Sequence, residues 1–137
     1  MRWLGLDIGS ARIGVALGDD ETSLASPWKV ISVASHDQAV EEVRVCAQTE
    51  GAQGLVIGFP RPLHDQSRVT AQEEEIESWV DELAQLGLTI ERENETLSSA
   101  QAAAWQRDRG QKGKRDDLAA CAILQTFLDR RRVNAHR

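Results

Sequence analysis

The chain has 137 residues, 41% of them hydrophobic, enough for one compact domain that removes roughly two-thirds of its surface from water on folding. Its apolar stretches are broken within a few residues by Gly, Asp or Arg, which excludes a span of ~20 apolar residues. A formal charge of -6 disfavours a polyanionic partner on average, but residues 1–104 carry 7 basic and 18 acidic side chains whereas 105–137 carry 9 and 4.

In chain order, residues 3–8 (WLGLDI) and 12–18 (RIGVALG) are short apolar runs joined by Gly9-Ser10-Ala11, which predicts a β-hairpin. Asp7 interrupts the first run where a secretory leader needs an unbroken apolar core, so a cytoplasmic protein is expected. A third strand is expected over 28–33, after Pro27, from its alternation and β-branched residues. Ser35 with Gln38 is a capping-box signature, and Ala39, Val40, Val43 and Ala47 follow at helical spacing until Gly51. Residues 54–58 (GLVIG) read as a central strand buried on both faces.

Thr70 with Glu73 opens a second helix, whose stripe of Ile76, Trp79, Val80, Leu83 and Leu86 lies opposite a solvated face of acids. Gly87 ends it, and 88–92 (LTIER) supplies a fifth strand. Ser98 with Gln101 caps a helix over about 99–107. A last helix over about 116–131 is apolar nearly all round and expected to be largely buried, leaving 131–137 as a flexible tail. Cys46 and Cys121 lack a CxxC partner or a nearby histidine and read as core thiols. The order β-β-β-α-β-α-β-α-α predicts a single α/β domain over 1–137. Its five-stranded mixed sheet starts with an antiparallel meander, continues in parallel, and carries helices on both faces.

Three carboxylates stand where chemistry can be assembled. Asp7 interrupts a strand and is flanked by Gly5 and Gly9, which let a phosphate approach; the alternative is a side chain capping the turn. Glu95 leaves the fifth strand at the edge where α/β sheets bind ligands, or is a solvated loop acid. Asp116 and Asp117 open the last helix, where an acid also caps free amides. Together, acids at strand ends and a helix start suit a hard divalent cation such as Mg²⁺, and two such ions about 3.5–4 Å apart would serve phosphodiester hydrolysis. His36, His64 and His136 are not required by that chemistry, and no Ser-His-Asp arrangement is evident. The basic cluster Arg107, Arg109, Lys112, Lys114 and Arg115 precedes the Asp pair in a Gly-containing loop and reads as a phosphate-binding surface. Arg130–Arg132 read equally as substrate contacts or as a helix end.

The segments LGLDIGSARIGVALGD at 4–19, LVIGFP at 55–60, ETLSSAQA at 95–102 and KGKRDDLAACAILQTFLD at 112–129 resemble the YqgF/RuvX family, in its order and spacing. The resemblance implies a ribonuclease-H-like fold related to the RuvC Holliday junction resolvases. It also implies an Mg²⁺- or Mn²⁺-dependent nuclease acting on Holliday junctions, or maturing the 5′ end of pre-16S ribosomal RNA. Carried over by position, the family's acids fall on Asp7, Glu95 and Asp116, with Asp117 auxiliary. Arg12 matches a basic position of the opening motif and is expected to meet phosphate, or to pair with Asp19 or Asp20. The family's D-E-R-L-T-T stands here as Asn94-Glu95-Thr96-Leu97-Ser98-Ser99, so its first Asp and its Arg are replaced. The loop after the central strand reads Pro60-Arg61-Pro62-Leu63-His64-Asp65-Gln66-Ser67 and lacks the family's Asn and its Asp-Gly-Ser.

Expected partners are branched DNA or a structured rRNA precursor, with no membrane and with a homodimer if the chain resolves junctions. Rival functions are a non-catalytic ribosome-assembly or nucleic-acid-binding module and, from the DxG turn, an actin-like ATP-binding protein. Length argues against the second, since those proteins need two such domains.

Overall fold

Five strands and three helices make up the described part of the computed structural model, which covers residues 1–9, 11–59, 71–94 and 116–135. They are β1 (Arg2–Ile8), β2 (Arg12–Asp19), β3 (Leu24–Ser32), α1 (His36–Glu50), β4 (Gly54–Phe59), α2 (Ala71–Ala84), β5 (Thr89–Asn94) and α3 (Asp116–Ala135). The sheet order is β3-β2-β1-β4-β5. β1 pairs antiparallel with β2 and β2 with β3, while β1–β4 and β4–β5 are parallel. This is the expected mixed sheet: a tight turn joins antiparallel strands, whereas the helical crossovers return the chain to the same end of the sheet, so that the next strand runs parallel. The helix expected over 99–107 and the Thr70 cap lie outside the described residues.

Two boundaries differ from the sequence expectation by four residues. β3 begins at Leu24 rather than residue 28, because it is an edge strand where Pro27 is tolerated, and a register shift at Val15/Ala16 lets pairing continue to Asp19↔Leu24. α3 runs to Ala135, through residues assigned to a tail. Its end is held because Arg131 Nε donates to Asp20 Oδ1 at 3.1 Å and its guanidinium lies 5.4 Å from the rings of Trp3 and Phe127.

Side chains alternate across the sheet and divide the core in two. Leu4, Leu6, Leu55 and Ile57 face α1 and α2, meeting Ala39, Val43, Ile76, Trp79 and Leu83. Trp3, Ala16 and Val56 face α3 at Ala120, Ile123, Leu124, Phe127 and Leu128, with Trp3 and Phe127 edge to face at 4.8 Å. β4 is buried along its whole length, as its unbroken apolar sequence requires. The apolar composition of α3 exceeds what the sheet can cover. One side is buried, whereas Leu118 is 38% exposed and Thr126 faces solvent, so the helix is less enclosed than expected.

α1 ends as its caps dictate. Ser35 Oγ accepts from the Gln38 N–H at 3.1 Å, and Gly51 takes the left-handed conformation at φ 66° that its missing Cβ permits. Ser35→Ala should cost about 1 kcal/mol and lower the melting temperature by a few degrees without altering activity. Thermal unfolding followed by circular dichroism checks this. Both cysteines are free thiols, Cys46 buried and Cys121 half-buried.

Candidate active site

Asp7 is the penultimate residue of β1 and pairs with Gly14 of β2. One step beyond the last β1–β4 pair, Leu6↔Ile57, Gly58 stands on its other side, and Gly58 pairs with Glu93 of β5. Gly14, Asp7, Gly58 and Glu93 therefore form a row across four strands. Alternation from Trp3 places Asp7 on the side of the sheet that carries α3. Its half-buried carboxylate has a glycine in both neighbouring strands, so no side chain from those positions fills the space beside it.

The start of α3 comes to the same end of the sheet. A Cβ on Gly5 would lie 2.7 Å from Leu124 Cβ and 2.8 Å from the Ala120 carbonyl, so the helix crosses β1 at a distance only glycine allows. Since Trp3 meets Phe127 and Gly5 meets Ala120 and Leu124, α3 runs antiparallel to β1. From that crossing, two strand residues (~6.6 Å) lead to Asp7 and one helical turn (~5.4 Å) leads to Asp116. The helix start also offers free amides and the positive end of its dipole. For Asp116 and Asp117 the backbone alone is described.

Arg12, the first residue of β2, is half-buried at the same end, and alternation puts it on the α3 side with Gly14. The expected contact with Asp19 or Asp20 does not form. Asp19 is at the opposite end of β2, roughly 23 Å away by strand rise, and accepts from the Thr22 N–H at 2.9 Å. Asp20 is taken by Arg131. Glu95 follows directly on Asn94, the last residue of β5, and lies outside the described residues together with Arg109, Lys112, Lys114 and Arg115. Among the described residues no three His, Cys, Asp or Glu side chains converge as metal ligands; of the three expected acids, Asp7 is the one whose side chain is described.

A family described as "RuvX: Holliday junction resolvase" matches residues 1–130. The chain belongs to the RuvX family. A relative from Chloroflexus aurantiacus is 31% identical over 98% of this chain and 90% of its own, and bears the name "Putative pre-16S rRNA nuclease". A Mycolicibacterium smegmatis relative of the same name is 34% identical over 96% of this chain and 82% of its own. Among solved structures, the chain is similar to T. thermophilus RuvC in complex with a Holliday junction substrate, with a TM-score of 0.62 at 12% identity over 96% of both chains. The fowlpox virus resolvase bound to Holliday junction DNA gives 0.57 at 10% identity over 94% and 97%. These likenesses establish the ribonuclease-H-like fold.

The structure adds a charged residue to this RuvX chain that sequence reasoning passed over. Glu93 stands one residue beyond the strand expected over 88–92, but lies within β5, which continues to Asn94. Its side chain is 1% exposed, and Arg130 Nη2 donates to its Oε1 at 2.6 Å. Burial pushes the Glu93 carboxyl above its ordinary range, and the Arg130 guanidinium opposes that shift. Oε2 has no hydrogen-bond partner among the described residues. The available signal was alternation: Ile90 faces the α1/α2 core, so Glu91 and Glu93 turn toward α3, where Arg130–Arg132 lie. No helix among the described residues is long and apolar enough to cross a membrane.

Proposed function

We propose that this RuvX chain is a divalent-metal-dependent endonuclease, with Asp7, Glu95 and Asp116 as its catalytic carboxylates and Asp117 as an auxiliary. The observation that carries the proposal is Asp7: a half-buried acid inside a sheet, between two glycines, at the end where α3 begins. The donor set is made of carboxylate oxygens alone, the chemistry that Mg²⁺ or Mn²⁺ takes, and the glycines leave room for a cation and a phosphate. When bound, a pair of such ions would activate a water and stabilise the departing oxygen. The chain's own contribution is to hold the acids on strand ends and a helix start. Arg12 is assigned to the substrate phosphate, and the amides of the first turn of α3 favour its negative charge.

The substrate we favour is a structured rRNA precursor cut near its 5′ end, as the names of the relatives suggest; the family description favours a four-way DNA junction as second reading. The chain would act as one cytoplasmic domain, and as a homodimer if it resolves junctions. The test is cleavage of a pre-16S transcript beside a four-way junction, with Mg²⁺, Mn²⁺ or a chelator, and with the oligomeric state measured by light scattering. Failure to cut either substrate with either metal would overturn the proposal.

Arg109, Lys112, Lys114 and Arg115 supply the phosphate-binding surface in this reading. Replacing Lys112, Lys114 and Arg115 by glutamine should weaken binding and reduce the slope of log affinity against log salt by about 2. An unchanged slope in a salt titration would make the cluster a solubilising surface.

A further inference from the structure

We infer that Glu93 and Arg130 form a positioning clamp that sets the end of β5 against α3, and through these segments the carboxylates Glu95 and Asp116. The inference rests on the nuclease reading above.

The pair is poorly explained as a source of stability. The Glu93 carboxylate is 1% exposed and one of its oxygens has no hydrogen-bond partner among the described residues. Desolvating a carboxylate offsets much of what its ion pair returns, and an apolar pair of similar volume is often as stable or more so. What a single short bond of 2.6 Å does supply is direction. Among the described residues β5 is an edge strand that pairs with β4 alone, with Arg92 also bound to Glu77 of α2, and Glu93 is its penultimate residue, two before Glu95.

The contacts of α3 show what the clamp completes. Gln125 accepts from the Ala25 N–H at 2.9 Å and donates to the Ser23 carbonyl at 2.8 Å, and Arg131 reaches Asp20. These bonds tie the helix to the β3 side of the sheet. Arg130, the neighbour of Arg131, reaches the opposite edge at β5. A helix tied at one edge can pivot over the sheet, whereas ties to both edges set its tilt and so the place of its first residue, Asp116. The same bond fixes the strand end from which Glu95 departs.

The test compares wild type, the apolar double variant Glu93→Leu/Arg130→Met, the conservative Arg130→Lys and Glu93→Gln. The double variant should melt at the same or a higher temperature. Its amide exchange over residues 92–94 should rise about tenfold. Its kcat should fall roughly 100-fold with KM within about twofold, because displaced acids still bind substrate but no longer align it. Arg130→Lys should retain both properties. Glu93→Gln, which keeps the shape and an acceptor oxygen, should lose about tenfold in kcat and serves if the double variant does not fold. Wild-type exchange, or wild-type kcat, in the double variant of a cleaving protein overturns the clamp. If the wild type cleaves nothing, the nuclease reading falls, and the exchange comparison alone decides the clamp.

Discussion

Asp7→Asn should abolish metal-dependent cleavage, by roughly a thousandfold or more, while leaving the fold and substrate binding intact. Asparagine has the same shape and still meets the partners of a half-buried side chain, but it loses the anionic oxygens that a hard cation needs. The melting temperature should move by no more than a few degrees, and gel-shift affinity should stay within a small factor of wild type. Turnover is measured on whichever substrate the wild type cuts. Retained turnover would remove Asp7 from the catalytic set and with it the reading of this end of the sheet as an active site.

Gly5→Val should be strongly destabilising, because Gly5 lies where α3 crosses the sheet. Even the first added carbon would meet Leu124 Cβ at 2.7 Å and the Ala120 carbonyl at 2.8 Å, and a helix backbone cannot move aside as a flexible side chain can. A cost of about 3 kcal/mol or more is expected, lowering the melting temperature by roughly 10 °C. Activity should fall further than stability accounts for, because lifting α3 from β1 also displaces Asp116 from Asp7. Gly5→Ala should show the same effects at smaller size. Thermal unfolding with parallel cleavage at a temperature where every variant is folded checks this, and a Gly5→Val protein with wild-type stability would mean that α3 does not cross β1 at that distance.

Much of this molecule is legible in the sequence because the determinants are local. The alternation of WLGLDI and RIGVALG and the unbroken run GLVIG specify strands and which faces they bury. Ser35 and Gly51 specify the ends of a helix through hydrogen bonds made within a few residues. The family motifs point to Asp7, Glu95 and Asp116 for the same reason, since each is marked by its immediate neighbours. Pro27 shows the limit: read locally it breaks a strand, yet at an edge it is accommodated, and edge position is a property of the whole sheet.

What only the tertiary structure decided concerns residues whose partners are far away along the chain. Arg131 stands where the expected helix gives way to the expected tail, and Asp20 with the Trp3 and Phe127 rings holds it within the helix. Nothing local marks Glu93 as buried, a setting that depends on Arg130, 37 residues on. That Asp7 is flanked by glycines likewise depends on Gly14 and Gly58 arriving in the same row from two other strands. Sequence by itself determined the described elements and the faces they bury, and it nominates the acids of the proposed site, because periodicity, capping and motif act over a few residues. Register, helix tilt and the burial of a lone charge were settled only by the folded chain, because they depend on contacts between segments that sequence does not place side by side.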